Sequence, residues 1–346
     1  MDQAKDIRKG EDLDWPKLET YLRSTLPNET QGEMKVAQFH GGHANLTYLL
    51  KFGEKELVVR RPPFGKIAPG AHDMKREYRV LSKLNKHFPV APRAYHLCED
   101  ESIIGAEFIV IEKRTGVVVR TKVLDCFKSF ENVEQRLVDA MIRAQVDLHL
   151  VDFEAADLTR LGRPEGFVER QLSGWAKRWE LSKSENSEDM DVVIAALQKK
   201  IPTSQRVSII HNDLKLDNCQ YQPDNPDKVT SIFDWDMCTL GDPLIDFGTT
   251  LSYYPDKSTE QFKSLTSVLV GDFPPKKFVI EKYQNYTGLS MMDINWYEAF
   301  AYWKGAVVMQ QLFKRFQDGE TQDARFANFD QAMRENALIA RNILDG

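Results

Sequence analysis

Near Gly116 the hydrophobic pattern of this 346-residue chain changes its period, and that change restricts the possible folds more than any other feature of the sequence. Before it, short β-favouring runs alternate with turns: MKVAQF, LTYLLKF and ELVVR, separated by Gly-Gly and Gly-Glu-Lys, and further on EFIVIE, from Glu107 to Glu112. Runs this short, joined by tight turns, pair as a small antiparallel sheet. One helical stretch interrupts them, HDMKREYRVLSKLNKHF, in which Val80, Leu81 and Leu84 share a face with Glu77. Glu77 therefore points inward, where a carboxylate without a partner is costly. Beyond Gly116, a residue able to act as a swivel, apolar residues recur at helical spacing. Leu137, Met141, Ala144 and Leu148 form one stripe, Val168, Leu172, Trp175 and Trp179 a second, and Trp296, Phe300, Trp303 and Val307 a third. The pattern predicts an α+β protein, with a small antiparallel sheet and one key helix in residues 1–113 and a larger, mainly helical part in 114–346. The polar stretch LSKSENSEDMD reads as an exposed connection between helices.

The helical part is broken once, by VSII, HNDLKLDN, CQYQ, the turn PDNPDK, and VTSIF running into DWD. Antiparallel pairing of such a hairpin brings Asp213 and Asn218, before its first strand, to the same end as Asp234, after its second. Their oxygens are hard donors suited to Mg²⁺, which takes few protein ligands and completes its shell with water and substrate phosphates. Each of these residues alone could serve a turn or a cap. Bulk composition excludes other classes. The 46 basic and 52 acidic residues leave a net charge of −6 without long blocks of one sign, which argues against a nucleic-acid coat or a polybasic membrane anchor. Four scattered cysteines form no CxxC pair, so neither a zinc site nor a disulfide framework is indicated. No run of about 18 apolar residues and no export signal is present, and the expectation is a cytoplasmic protein with no membrane or nucleic-acid partner. Oligomeric state carries no sequence signal.

HNDLKLDN followed by a hairpin and an Asp is the order of the kinase catalytic loop and its metal-binding Asp. With FHGGHANLTYLL, REYRVLSKL, FIVIEKRTG and IFDWDMCTLGDPLIDFG around it, the chain resembles the aminoglycoside phosphotransferase family of the protein-kinase-like fold, a group that includes choline and homoserine kinases. More narrowly, GGHANLTY, LVVRRPPFGKIAPGAHDMKREYRVL, GRPEGFVERQLSGW and WYEAFAYWKGAVVMQ are similar to the phosphotransferase-like domain of acyl-CoA dehydrogenase family members 10 and 11. No dehydrogenase portion follows them here, so a stand-alone relative is expected. The resemblance implies a two-lobed fold: a nucleotide-binding lobe over 1–113 and a helical lobe over 114–346 with the catalytic loop and substrate site. It implies a small-molecule kinase that transfers the γ-phosphate of ATP or GTP, with Mg²⁺, to a substrate hydroxyl.

Residue by residue, the resemblance makes Asp213 the base or hydroxyl-orienting group, Lys215 a cation for the transferred phosphoryl group, and Asn218 and Asp234 the metal ligands. Asp236 either adds charge beside them or caps the next segment. Asp246 either braces the catalytic loop or caps a helix, and His211 and His149 are expected to be structural. Gly41, Gly42 and Asn45 would cradle phosphates. Arg60 stands where kinases carry the phosphate-gripping lysine paired with a helix glutamate, here Glu77; Arg61, on the opposite face of the strand, competes with it. The backbone of Glu112, Lys113 and Arg114 would meet the adenine. Arg170, Trp175, Trp179, Trp296 and Trp303 lie in the segments that would form the acceptor pocket. Arg170, Lys177 and Arg178 balance Glu165, Glu169 and Glu180, which gives no support to a polycationic acceptor, and the narrower resemblance favours a hydroxyacyl substrate, including a coenzyme A thioester. Two rivals stand beside this reading. A protein kinase is disfavoured by the lack of an APE segment and the short path from DWD to GDP. A non-catalytic nucleotide-binding regulator is prompted by arginine in place of lysine at position 60.

Overall fold

A computed structural model describes residues 4–40, 45–65, 73–184, 187–255 and 271–346. In chain order its elements are α1 (Trp15–Thr25), β1 (Met34–Phe39), β2 (Leu46–Phe52), β3 (Lys55–Arg61), α2 (Met74–Leu84), β4 (Ala94–Cys98), β5 (Phe108–Glu112) and β6 (Val117–Val118). The chain continues through α3 (Val133–His149), α4 (Phe167–Ser182), α5 (Glu188–Lys199), β7 (Ser208–Ile210), β8 (Cys219–Gln222), β9 (Asn225–Ile232) and β10 (Thr239–Gly241). It ends in α6 (Pro243–Tyr253), α7 (Lys276–Thr287), α8 (Ile294–Gln317) and α9 (Phe329–Asp345). Two compact units result, one of residues 1–118, 152–161 and 217–238, the other of 119–151, 162–216 and 239–346.

The first unit is built on an antiparallel sheet of order β1-β2-β3-β5-β4. Strand β2 alternates as its sequence dictates, with Leu46, Tyr48, Leu50 and Phe52 buried. They join Leu18 and Leu22 of α1, Leu57 and Val59 of β3, and Phe108 and Val110 of β5 in one apolar core. Helix α2 packs against β4 and β5. Asp73 caps it by accepting from the Arg76 N–H at 2.9 Å. Strand β4 escapes the sequence pattern because Tyr95, His96 and Leu97 are all only half-buried; its pairing with β5 along the sheet edge makes it a strand.

The hairpin β8–β9 belongs to this unit too. Its connection is tighter than the six-residue PDNPDK turn read from the sequence: Gln222 pairs with Asn225 across Pro223 and Asp224, and Asn225 to Lys228 already belong to β9. Strand β6 pairs with β8, Val117 opposite Tyr221. That pairing carries the unit past Lys113 to Val118, whereas the sequence pattern alone divides the chain into two continuous parts. Gly116 has a steric reason to be glycine. A β-carbon there would lie 2.5 Å from Gln220 Cγ, 2.6 Å from the Tyr221 carbonyl oxygen and 2.7 Å from Thr230 Oγ1. Two of those neighbours are held by the hairpin, so Gly116→Ala is expected to lower stability by about 1–3 kcal/mol, the usual cost of overpacking, as a drop in the urea midpoint at unchanged slope.

In the second unit the three apolar stripes are buried, with one departure: Trp175 of α4 is half-exposed. Helix α8 carries Trp296, Phe300, Trp303 and Val307 into the core and packs against α4, α5, α6 and α9. The polar connection before α5 is shorter than its composition suggests. Met190, Val193 and Leu197 recur at helical spacing and are buried, so α5 starts at Glu188. Strands β7 and β10 pair antiparallel, Ile210 opposite Thr239. Among the described residues, no helix is long and apolar enough to cross a membrane.

Candidate active site

In the first unit the charged residues converge on Arg60. Strand β3 sends Arg60 and Arg61 to opposite faces, and Arg60 takes the face where α2 presents Glu77, which is fully buried. The Arg60 guanidinium donates through Nη1 to Glu77 Oε1 and through Nη2 to Asp234 Oδ1, the latter at 2.8 Å. Burial works against the Arg60 charge, yet Glu77, Asp234 and Asp236 outweigh it, and its pKa is raised. Burial also raises the Glu77 carboxyl, against the pull of Arg60 and with help from Asp234 and Asp236. Arg61 is engaged elsewhere. It donates to the Pro62 and Ile104 carbonyl oxygens, both at 2.9 Å, and its guanidinium lies 4.1 Å from the centre of the Phe64 ring. Between the two candidates, the partner of Glu77 is Arg60.

Asp234 follows β9 in a left-handed conformation, φ +68°, that few residues other than Gly, Asn and Asp adopt readily. Beside it, the Phe233 N–H donates to the Asn218 carbonyl oxygen at 2.9 Å. The hairpin register therefore ties the backbone of Asn218 to the residue before Asp234, and the two side chains offer only hard amide and carboxylate oxygens as ligands. That donor chemistry fits Mg²⁺. At the start of β2, Asn45 is buried, and neither atom of its amide has a hydrogen-bond partner among the described residues. An unpaired buried amide costs about 1–3 kcal/mol. Gly41 and Gly42 lie outside the described residues. At the end of β5, the Glu112 N–H is bound to the Arg93 carbonyl oxygen at 2.8 Å. Lys113 reaches Glu56 at 2.9 Å, and Arg114 donates to Glu112, to the Pro89 carbonyl oxygen and to the Thr230 carbonyl oxygen at 2.6 Å.

In the second unit the loop after β7 is held from α6. Asp242 is the cap of that helix, accepting from the Leu244 N–H at 2.8 Å, which leaves Asp246 to brace the loop. The Asp246 carboxylate accepts from the backbone N–H groups of His211 at 3.0 Å and Asn212 at 2.6 Å, and from His149 Nε2 at 2.9 Å. With the Nε2 proton facing a carboxylate, His149 Nδ1 is the acceptor for the Tyr283 hydroxyl at 2.7 Å. The side chains of Asp246, His149, His211 and Tyr283 are buried. Burial alone would raise the Asp246 pKa, but His149 and His211 hold it below the ordinary carboxylate value. Thr250, one turn along α6, donates to the Leu214 carbonyl oxygen at 3.1 Å. Asp213 is thus carried on a loop anchored on both sides. Its backbone N–H donates to His211 Nδ1 at 3.3 Å, and its carboxylate lies 3.5 Å from Lys215 Nζ. Lys215 in turn sits 4.9 Å from the centre of the Tyr253 ring. Sequence reasoning passes over Lys304, a single lysine within the apolar stripe of α8 whose only signal is that position; the side chain faces Trp175.

The fold is that of the kinase-like phosphotransferases. A Ralstonia eutropha protein assigned to the aminoglycoside phosphotransferases superposes with a TM-score of 0.79 at 28% identity, over 96% of this chain and 99% of its own. The GDP complex of aminoglycoside 2'-phosphotransferase-IIIa superposes with a TM-score of 0.62 over 94% of this chain and 99% of its own, at 13% identity, a likeness of fold alone. Residues 35–266 match the model of the phosphotransferase enzyme family, and the chain belongs to that family. Mouse acyl-CoA dehydrogenase family member 10 is 30% identical over 328 residues, which cover 93% of this chain and 30% of that protein. The chain therefore spans less than a third of the length of that relative.

Proposed function

We propose that this phosphotransferase is a small-molecule kinase, transferring the γ-phosphate of ATP or GTP to a hydroxyl group of a small acceptor with Mg²⁺. The observation that carries the reading is the Asp246 brace, which holds the loop of Asp213 and Lys215 in a built conformation, a construction a non-catalytic regulator does not need. Asp213 takes the proton of the acceptor hydroxyl, and Lys215 brings positive charge to the phosphoryl group in transfer. Arg60 and the Asn45 amide serve the phosphates of the nucleotide. Asn218 and Asp234 would hold Mg²⁺. Bound there, the ion would neutralise charge on the phosphates. A nucleotide donor is supported by the GDP complex of the structural relative. The acyl-CoA dehydrogenase family name of the sequence relative supports a hydroxyacyl acceptor. Four cysteines free of disulfides support a reducing compartment, in keeping with a cytoplasmic protein.

The test is release of ADP or GDP by the purified chain, with each nucleotide, across hydroxy acids, hydroxyacyl-coenzyme A thioesters, choline and aminoglycosides. Release is expected with at least one hydroxyacyl compound, and chelation of Mg²⁺ by EDTA should lower it at least about 100-fold. Turnover of aminoglycosides alone would refute the hydroxyacyl acceptor. Thermal stabilisation by nucleotide with no product from any acceptor would favour the regulator instead.

A further inference from the structure

Helices α4 and α8 pack together, and where they meet two cations share one aromatic ring. The Lys304 ammonium lies 5.7 Å from the centre of the Trp175 ring, and the Arg178 guanidinium lies 4.3 Å from it. Attraction to the ring face accounts for part of this arrangement, but two like charges beside one indole repel each other. Burial lowers the Lys304 pKa, Asp213 and Asp246 work the other way, and Arg178 lowers it further. Neither of those carboxylates is spare. Asp246 is engaged by His149 and two backbone N–H groups, and Asp213 lies beside Lys215. Lys304 and Trp175 are half-buried and Arg178 is exposed. One helical turn from Trp175, on the same stripe, Trp179 is buried with an indole N–H that has no acceptor among the described residues. A partly desolvated ammonium beside an arginine is held most stably when an anion joins them. Helix α8 also packs against α6, the helix that holds the Asp213 loop, so an anion on Lys304 lies on the side of the group proposed to accept the hydroxyl proton.

We propose that Lys304 and Arg178, sharing the Trp175 ring, form a subsite for the carboxylate or phosphate of the phosphoryl acceptor, the end of the molecule away from its reacting hydroxyl. The assignment to an acceptor rests on the kinase reading. An oxyanion here selects acidic alcohols and rejects amino sugars, and the specificity resides in two residues from helices distant in sequence.

The experiment compares straight-chain hydroxy acids of two to ten carbons with the matching amides, amino alcohols and hydroxyacyl-coenzyme A thioesters. With the native chain, kcat/KM is expected to fall at least about tenfold from acid to amide, and further to the amino alcohol, the loss of one charge-assisted hydrogen bond. Lys304→Met should raise KM for the acid at least about tenfold with kcat within about twofold, and should leave KM for the amide unchanged. Arg178→Gln should act in the same direction with the fold untouched, and Lys304→Arg should retain the preference. If only the thioester is used, in a Lys304-dependent way, the anion is a coenzyme phosphate; if the free acid is used, it is a carboxylate. Equal use of acid and amide, or equal loss for both in Lys304→Met, overturns the subsite, as does turnover of amino sugars alone, which leaves the kinase reading intact. Where nothing is turned over, calorimetry decides: Lys304-dependent binding of the hydroxy acid upholds the subsite while the kinase reading fails, and absence of binding, or binding indifferent to Lys304→Met, removes it.

Discussion

Asp213→Asn is expected to slow nucleoside diphosphate release by about 100- to 10,000-fold, the usual contribution of a positioned proton acceptor, and to leave nucleotide affinity within about twofold. The amide keeps the shape of the carboxylate and can still accept a hydrogen bond from an acceptor hydroxyl, but it cannot take the proton. The fold should tolerate the change. The loop is anchored through the backbone N–H groups of His211 and Asn212 and the carbonyl oxygen of Leu214, none of which involves the Asp213 side chain. Lys215 loses one carboxylate neighbour and keeps its position over Tyr253. Nucleotide contacts are proposed for Arg60 and Asn45, in the other unit, so affinity is expected to persist. Steady-state rates, paired with calorimetric nucleotide binding and thermal midpoints for both proteins, separate chemistry from folding. A variant with the native rate would remove Asp213 from the mechanism and return the regulator to first place.

Asp246→Ala should cost about 3–5 kcal/mol of stability, because each buried donor left without an acceptor costs about 1–3 kcal/mol. The substitution strands three donors at once, the His211 and Asn212 N–H groups and His149 Nε2, and the two histidines are buried. Urea unfolding measures the loss, and activity should fall with it because the Asp213 loop is no longer held. The dependence on pH has a definite sign. The folded-state pKa of Asp246 lies below its unfolded value, so the unfolded chain takes up the proton first as pH falls. The stabilisation is complete above the ordinary carboxylate pKa of about 3.9 and is lost as pH drops through the lower folded value. Native protein should therefore show a steeper acid limb of stability than Asp246→Asn, which has no such proton to bind. Equal acid limbs, or an alanine variant with an unchanged urea midpoint, would rule out the brace.

Helical spacing around Val80, Leu81 and Leu84 is enough to turn Glu77 inward, and it is buried. The class is equally legible, since the switch from strand runs to helical stripes separates sheet from helices before any coordinate is known. HNDLKLDN, the hairpin and DWD carry the resemblance to the phosphotransferases, and the family match bears it out. The choice between Arg60 and Arg61 is different in kind. Alternation along β3 says that the two point to opposite faces, while the identity of each face depends on α2 covering one and the α1 core the other. Asp246 reads equally well as cap or brace until Asp242 is seen to hold the helix N-terminus. Strand β4 exists through β5, Gly116 is confined by a hairpin a hundred residues away in sequence, and Lys304 meets Trp175 only because α8 packs on α4. Period and spacing are local properties, so the sequence by itself determined the α+β class, the phosphotransferase motif and the inward face of the key helix. Which residue stands opposite each face is a property of segments brought together by burial, and only the tertiary structure decided the Arg60 pairing, the Asp246 brace and the paired cations beside Trp175.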